Sequence, residues 1–230
     1  VRASAQVQRN IKQRKKKPMS GLTDYAQNKI KDALWRGQAL GAPATLYYAL
    51  FTASKGERVN STTYALNDTA VVKIGSTYLF YKCTTAGNSA AALPGTYLGA
   101  RGEAITDGTA VFTEQSAALD AGSFTEVAGV AYARVGVAAS LANFSGTQGA
   151  GSTTASTGTS GATSNNGVIT FPVPTGQWHP AGGAIVGIAV YDAAAAGNAW
   201  QWSVGTPKSV NNGDPAPSIA AGAWVDTVGA

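Results

Sequence analysis

The chain of 230 residues has a formal charge of +5, with 44 % apolar and only 13 % charged residues, roughly half the charged share of an ordinary globular protein. That length suits one large β domain, or a medium domain with a smaller one inserted. No run of eighteen apolar residues is present to span a bilayer, and a single cysteine, Cys83, excludes an intrachain disulfide and a thiolate metal cluster.

The surplus charge sits at one end. Residues 1–18 hold Arg2, Arg9, Lys12, Arg14, Lys15, Lys16 and Lys17 and no acidic residue, leaving ten basic against twelve acidic side chains in the rest. The chain thus divides into a basic arm and a nearly neutral body. The arm is followed by the polar stretch "SGLTDYAQNK" and not by an apolar one, so it does not read as a secretory signal.

Residues 19–37 predict an amphipathic helix. Thr23 caps it, Asp24 lies in its first turn and Gly37 stops it, while Leu22, Ala26, Ile30 and Leu34 recur every four along one face. "ATLYYALFTA" (44–53) then reads as a buried strand. Residues 60–116 read as a small inserted β module. In it "AVVKIGSTYLFYKC" makes two alternating strands around Gly75-Ser76, and "ITDGTAVF" repeats the device at Asp107-Gly108. Asn67, Asp68, Gly87, Pro94 and Gly95 punctuate what remains of the module.

From about Ala117 the strand signals recur: "TEVAGVAYARVGV", "NGVITFPVP", "AIVGIAVYDA" and "AWQWSVGTP", the last two joined as a hairpin through "DAAAAGN". Alternation in "VITF" and "AWQWSV" predicts a wet and a dry face. Residues 140–166 contain twelve Ser/Thr and five Gly. They bury too little to order themselves and predict a long loop, draped over a neighbour or mobile. The expected fold is mainly β: an antiparallel β-sandwich with one N-terminal helix (19–59 and 117–230) and a small inserted β module (60–116), behind the arm (1–18).

Catalytic chemistry finds little support. His179 is the only histidine, set beside Pro180 in "GQWHPAG", with no Ser or Cys motif to activate, and it reads as a turn residue. No phosphate loop, dinucleotide fingerprint or nucleophile elbow occurs. The carboxylates are scattered, with Asp107 reading as a turn former and Asp24 as a helix starter. One histidine and one distant cysteine make no metal ligand set. Trp35, Trp178, Trp200, Trp202 and Trp224 read as core and interface residues, Trp200 and Trp202 sharing a strand face. Cys83 alternates with Tyr81 and Leu79 as a small buried hydrophobe. The expectation is a protein without catalytic residues, cofactor or metal.

"MSGLTDYAQNKIKDALWRG", "APATLYYALFTA", "EVAGVAYARV", "ITFPVPTGQW" and "IVGIAVYDAAAAGNAWQWSVGTPKSVNNGDPAPSIAAGA", taken in order, resemble a family of tailed-bacteriophage virion proteins of the tail-fibre-like or head-decorating kind. The resemblance covers residues 19–59 and 117–230. It implies a β-sandwich subunit of the virus particle. The insert resembles a small β module of phage fibres, akin to chitin-binding modules, through Tyr64, Asp68, Tyr81 with Cys83, Gly87 with Ser89, and Asp107-Gly108 with Phe112. It departs from that pattern in Asn67, in Phe112 where tryptophan is usual, and in lacking a tryptophan before Tyr64.

The leading functional expectation is a non-enzymatic capsid-decorating or cementing protein, located in the virion and in the bacterial host cytoplasm during assembly. It would bind the major capsid protein or other virion proteins and form a homo-oligomer. The alternative is a tail-fibre or receptor-binding subunit whose insert contacts host polysaccharide through Tyr64, Tyr78 and Tyr97. No membrane partner is expected, and nucleic acid is disfavoured for a subunit of the outer surface. Three readings stand for residues 1–18: sequence upstream of a start at Met19, a solvated tail, or an anchor whose cations meet acidic patches on neighbouring virion proteins, the last being the expectation.

Overall fold

A computed structural model of the chain describes residues 20–146, 156 and 161–227. Strand β1 (Ser20–Leu22) and helix α1 (Asp24–Arg36) precede β2 (Thr45–Ala53). The insert supplies β3 (Thr63–Tyr64), β4 (Thr69–Ile74), β5 (Thr77–Thr85), β6 (Gly87–Asn88), β7 (Ala104–Asp107) and β8 (Ala110–Glu114). After the short helix α2 (Ser116–Asp120) come β9 (Val135–Ala138), β10 (Phe144–Ser145), β11 (Ala162–Asn165) and β12 (Ile169–Thr170). The chain then forms β13 (Ala184–Tyr191), β14 (Ala199–Lys208), β15 (Ser218–Ile219) and β16 (Val225–Thr227). The fold is mainly β, and among the described residues the named strands pair antiparallel, with one isolated parallel bridge between Glu57 and Val71 of β4.

A five-stranded sheet, β1-β14-β13-β2-β9, is the middle layer. Alternate residues of β2 enter two separate clusters: Ala49, Phe51 and Ala53 face the insert, while Tyr48 and Leu50 face the opposite side. Both faces of β2 and β13 are therefore covered, which is why these two strands are almost continuously apolar. On the insert side lies the four-stranded sheet β4-β5-β8-β7. The Phe51 and Phe80 rings meet edge-on at 6.1 Å, and Ser54 and Thr69 exchange two bonds of 2.9 Å between backbone N–H and side-chain oxygen. On the outer side, Val127, Ile169, Phe171, Trp178, Val210 and Trp224 close the second cluster over the small sheets β12-β15 and β10-β11-β16.

A bulge at Gly187 changes the phase of β13. Ala184 and Val186 face the insert before it, and Ala189 and Tyr191 after it. Only glycine fits there, because a Cβ would stand 2.2 Å from the Phe51 ring. A second irregularity, between Val190 and Tyr191, leaves Trp200 outside the ladder. The two tryptophans of β14 therefore do not share a face. Trp202 joins the insert-side cluster, whereas Trp200 lines an outer cleft with Leu46, Tyr48 and Val190. Arg134 holds the β13–β14 hairpin in place. It pairs with Glu126 at 2.7 Å, lies 3.6 Å over the Tyr191 ring and donates to the carbonyls of Ala193 and Ala196.

The N-terminal helix is shorter than the 19–37 expected, because Ser20–Leu22 pairs with β14 and Thr23 ends that strand. The hairpin at Gly75-Ser76 forms as the sequence indicates, with Gly75 at φ +64°. In the second hairpin the turn is Gly108-Thr109, and Asp107 is still a strand residue paired with Ala110. Within the expected loop 140–166, the ends are ordered as β10 and β11, with Asn165 bonded to Ala220 O and to the Trp224 N–H at 2.9 Å each. Most of its centre lies outside the described residues.

Candidate functional site

The three tyrosines proposed for glycan contact do not form one platform. The Tyr64 ring is buried edge-on against Phe112 at 4.9 Å, and its hydroxyl accepts the Val59 N–H at 2.9 Å. Tyr97 is buried edge-on against Tyr81, also at 4.9 Å, and donates to Asp107 at 2.9 Å. Burial first, then the neighbouring Asp107 carboxylate, pushes the Tyr97 phenol far above its ordinary value. A sugar stacks on an open ring face, and neither residue offers one. Tyr78 alone is half-buried, with the Lys73 ammonium 5.6 Å from its ring centre. Most of the residues that carry the insert's resemblance, namely Tyr64, Tyr81, Cys83, Ser89, Asp107 and Phe112, prove to be its buried interior.

Sequence reasoning missed the centre of that interior. The Asp107 carboxylate accepts from Arg58 at 2.6 and 2.8 Å, from the Ala90 N–H at 2.9 Å and from Tyr97. Arg58 and Asp107 lie far apart in sequence, and Asp-Gly reads first as a turn, so no local signal connects them.

Among the exposed apolar side chains of the described residues, Trp35 and Leu34 on α1 are the most open. The start of this helix is locked to the body: Thr23 donates its hydroxyl to the Ala199 carbonyl and accepts the Ala26 N–H, and Tyr25 meets Trp200 edge-on at 5.5 Å. Its second half leaves the sheet. Leu34 and Trp35 are 71 % and 84 % exposed, and Leu40 beyond the helix is exposed as well. Of the expected face Leu22, Ala26, Ile30 and Leu34, only Ala26 is fully buried. The helix turns polar again at Arg36, paired with Asp32 at 2.9 Å, and ends at Gly37 with φ +66°.

Two clefts mark the outer face of the middle sheet. One, of about 460 Å³, is lined by Leu22, Leu46, Tyr48, Phe144, Trp200 and Trp224. The other, of about 430 Å³, lies between residues 205–210 and 214–219, over Leu50 and Ile188. Both are mainly apolar and suit binding better than acid–base work. No cluster of three or more His, Cys, Asp or Glu side chains able to hold a metal occurs among the described residues. His179 is half-exposed in its turn, with Nδ1 3.0 Å from Gln177 Nε2.

The seven cations of the arm, Arg2 to Lys17, lie outside the described residues. The arm joins the body at the edge strand β1.

A search of curated proteins finds no match. The family model described as "Podophage GP4 fiber I protein gp80" matches residues 98–225. That match starts inside the insert, before β7, and extends past α2 to the first residue of β16. A match over more than half of the chain makes this protein a member of the podophage GP4 fiber I protein gp80 family, a family of phage virion structural proteins.

Proposed function

We propose that the chain is a subunit of a phage fibre and works by binding neighbouring virion proteins, without catalysis. The family match to a fibre protein is the observation that supports this reading, and the head-decorating role that the sequence alone favoured is the second one. The open end of α1 supports it. Covering Leu34 or Trp35 with a neighbour gains roughly 1.5–3 kcal/mol each, an amount the isolated chain forgoes. The basic arm is the proposed second contact, directed at acidic patches on other virion proteins, and a second copy of the chain is among the neighbours expected. Imaging of particles that carry this protein with a dense label on an exposed loop tests the assignment. Label on the tail appendages is the expected result. Label distributed over the head would overturn the fibre role in favour of capsid decoration.

A further inference from the structure

Lys31, Leu34 and Trp35 stand three and four positions apart on one face of α1, and all three are exposed. Arg36 is taken by Asp32, whereas Lys31 has no ion-pair partner among the described residues. Leu34 and Trp35 lie in the last turn, so the open carbonyls of the helix end, with their partial negative charge, stand beside them. The 430 Å³ cleft on the outer face of the middle sheet offers the complement. Leu50, Ile188, Phe171 and Pro217 give it an apolar lining, Lys208 belongs to one wall and Asp214 to the other. Its size lies in the range of pockets that enclose a ligand-sized group.

We propose that Trp35 of one copy of the chain enters this cleft on a second copy, with Lys31 facing Asp214 and Lys208 facing the C-terminal carbonyls of α1. The proposal rests on the binding role given to the open helix end above and names its neighbour. Within its own chain Trp35 is 84 % exposed, so the cleft of the same copy does not hold it. Charge selects both the partner and the direction of entry. The reverse direction would set Lys208 against Lys31 and the Asp214 carboxylate against the carbonyl end of the helix, and like charges across a contact reject that arrangement. Helix end and cleft are different surfaces, so the contact is heterologous and repeats from copy to copy into a ring or a filament. A buried tryptophan covers about 150–250 Å², well below the area of a stable complex. The contact is therefore weak between two free copies and strengthens where other contacts hold the copies together.

Sedimentation velocity of the isolated full chain tests this, independently of where the particle carries the subunit. The unmodified chain should associate reversibly between about 1 μM and 1 mM, the range of weak contacts. Trp35→Asp, at a position open to solvent, should leave it monomeric. Gly205→Phe should do the same from the other side, because Gly205 lines the cleft and a Cβ added there meets nothing within 4 Å. Mixed in equal amounts, these two variants should form a heterodimer, since the first keeps its cleft and the second its tryptophan. Lys31→Glu should weaken association at least about tenfold, and mixing it with Asp214→Lys should restore it. Melting curves matching that of the unmodified chain report that each variant is folded. An unmodified chain that stays monomeric to the top of that range would overturn the proposal, leaving the cleft to another segment of the chain or Trp35 to a different virion protein. Association that survives Trp35→Asp, or a mixture that stays monomeric, would overturn it as well.

Discussion

The Asp107 carboxylate gathers donors from Arg58, Ala90 and Tyr97, three segments distant in sequence. Burial alone would raise its pKa. The Arg58 guanidinium, the Ala90 amide and the Tyr97 hydroxyl outweigh burial and hold it below the ordinary carboxylate value. A pKa depressed in the folded state adds stability above the unfolded value of about 3.9, and that stability is lost as pH falls through the lower folded value. Acid should therefore loosen the insert below about pH 4, and Asp107→Asn should remove that part of the pH dependence. Asp107→Ala leaves Arg58, whose side chain is 3 % exposed, buried without its partner. The expected cost is about 3–5 kcal/mol, read by urea unfolding. A loss under about 1 kcal/mol would mean that water replaces the carboxylate.

Among the elements, those with a local cause were legible. Gly75 at a positive φ makes its hairpin, Thr23 and Gly37 bound α1, and the apolar runs of β2 and β13 form buried strands. Elements shaped by their partners were not legible. The Gly187 bulge answers to the Phe51 ring on another strand, and α1 loses its first turn because β14 captures Ser20–Leu22. The insert raises the same issue. By sequence, residues 60–116 divide from a body expected to fold alone. Yet one cluster contains Phe51, Val186 and Trp202 of the body together with Val71, Phe80 and Tyr81 of the insert. Arg101 of the insert also pairs with Asp120, which accepts the Trp202 indole N–H at 2.9 Å. Replacing 60–116 by a short Gly/Ser linker is expected to abolish cooperative melting, because it strips one face of the middle sheet. A single sharp transition in that variant would establish the insert as an independent domain.

For the whole molecule, charge separation is the dominant feature: seven cations in the arm and a body of net charge −2. If the arm anchors the subunit, deleting residues 2–17 should leave the circular dichroism and melting of the body close to those of the full chain. Occupancy of particles should fall, and attachment of the full-length protein should weaken as salt rises, because exposed ion pairs are screened within about 10 Å at 0.1 M. Salt-insensitive, normal occupancy by the truncated chain would refute the anchor. The sequence by itself determined the β class, the long buried strands β2 and β13, the concentration of positive charge in residues 1–18 and the virion family, since periodicity, turn residues and motif order are local properties of the chain. Only the tertiary structure decided that Tyr64 and Tyr97 are core residues, that Asp107 is an ion-pair partner, and that Leu34 and Trp35 remain open. Burial depends on which distant segments meet, and the residue types alone are compatible with either fate.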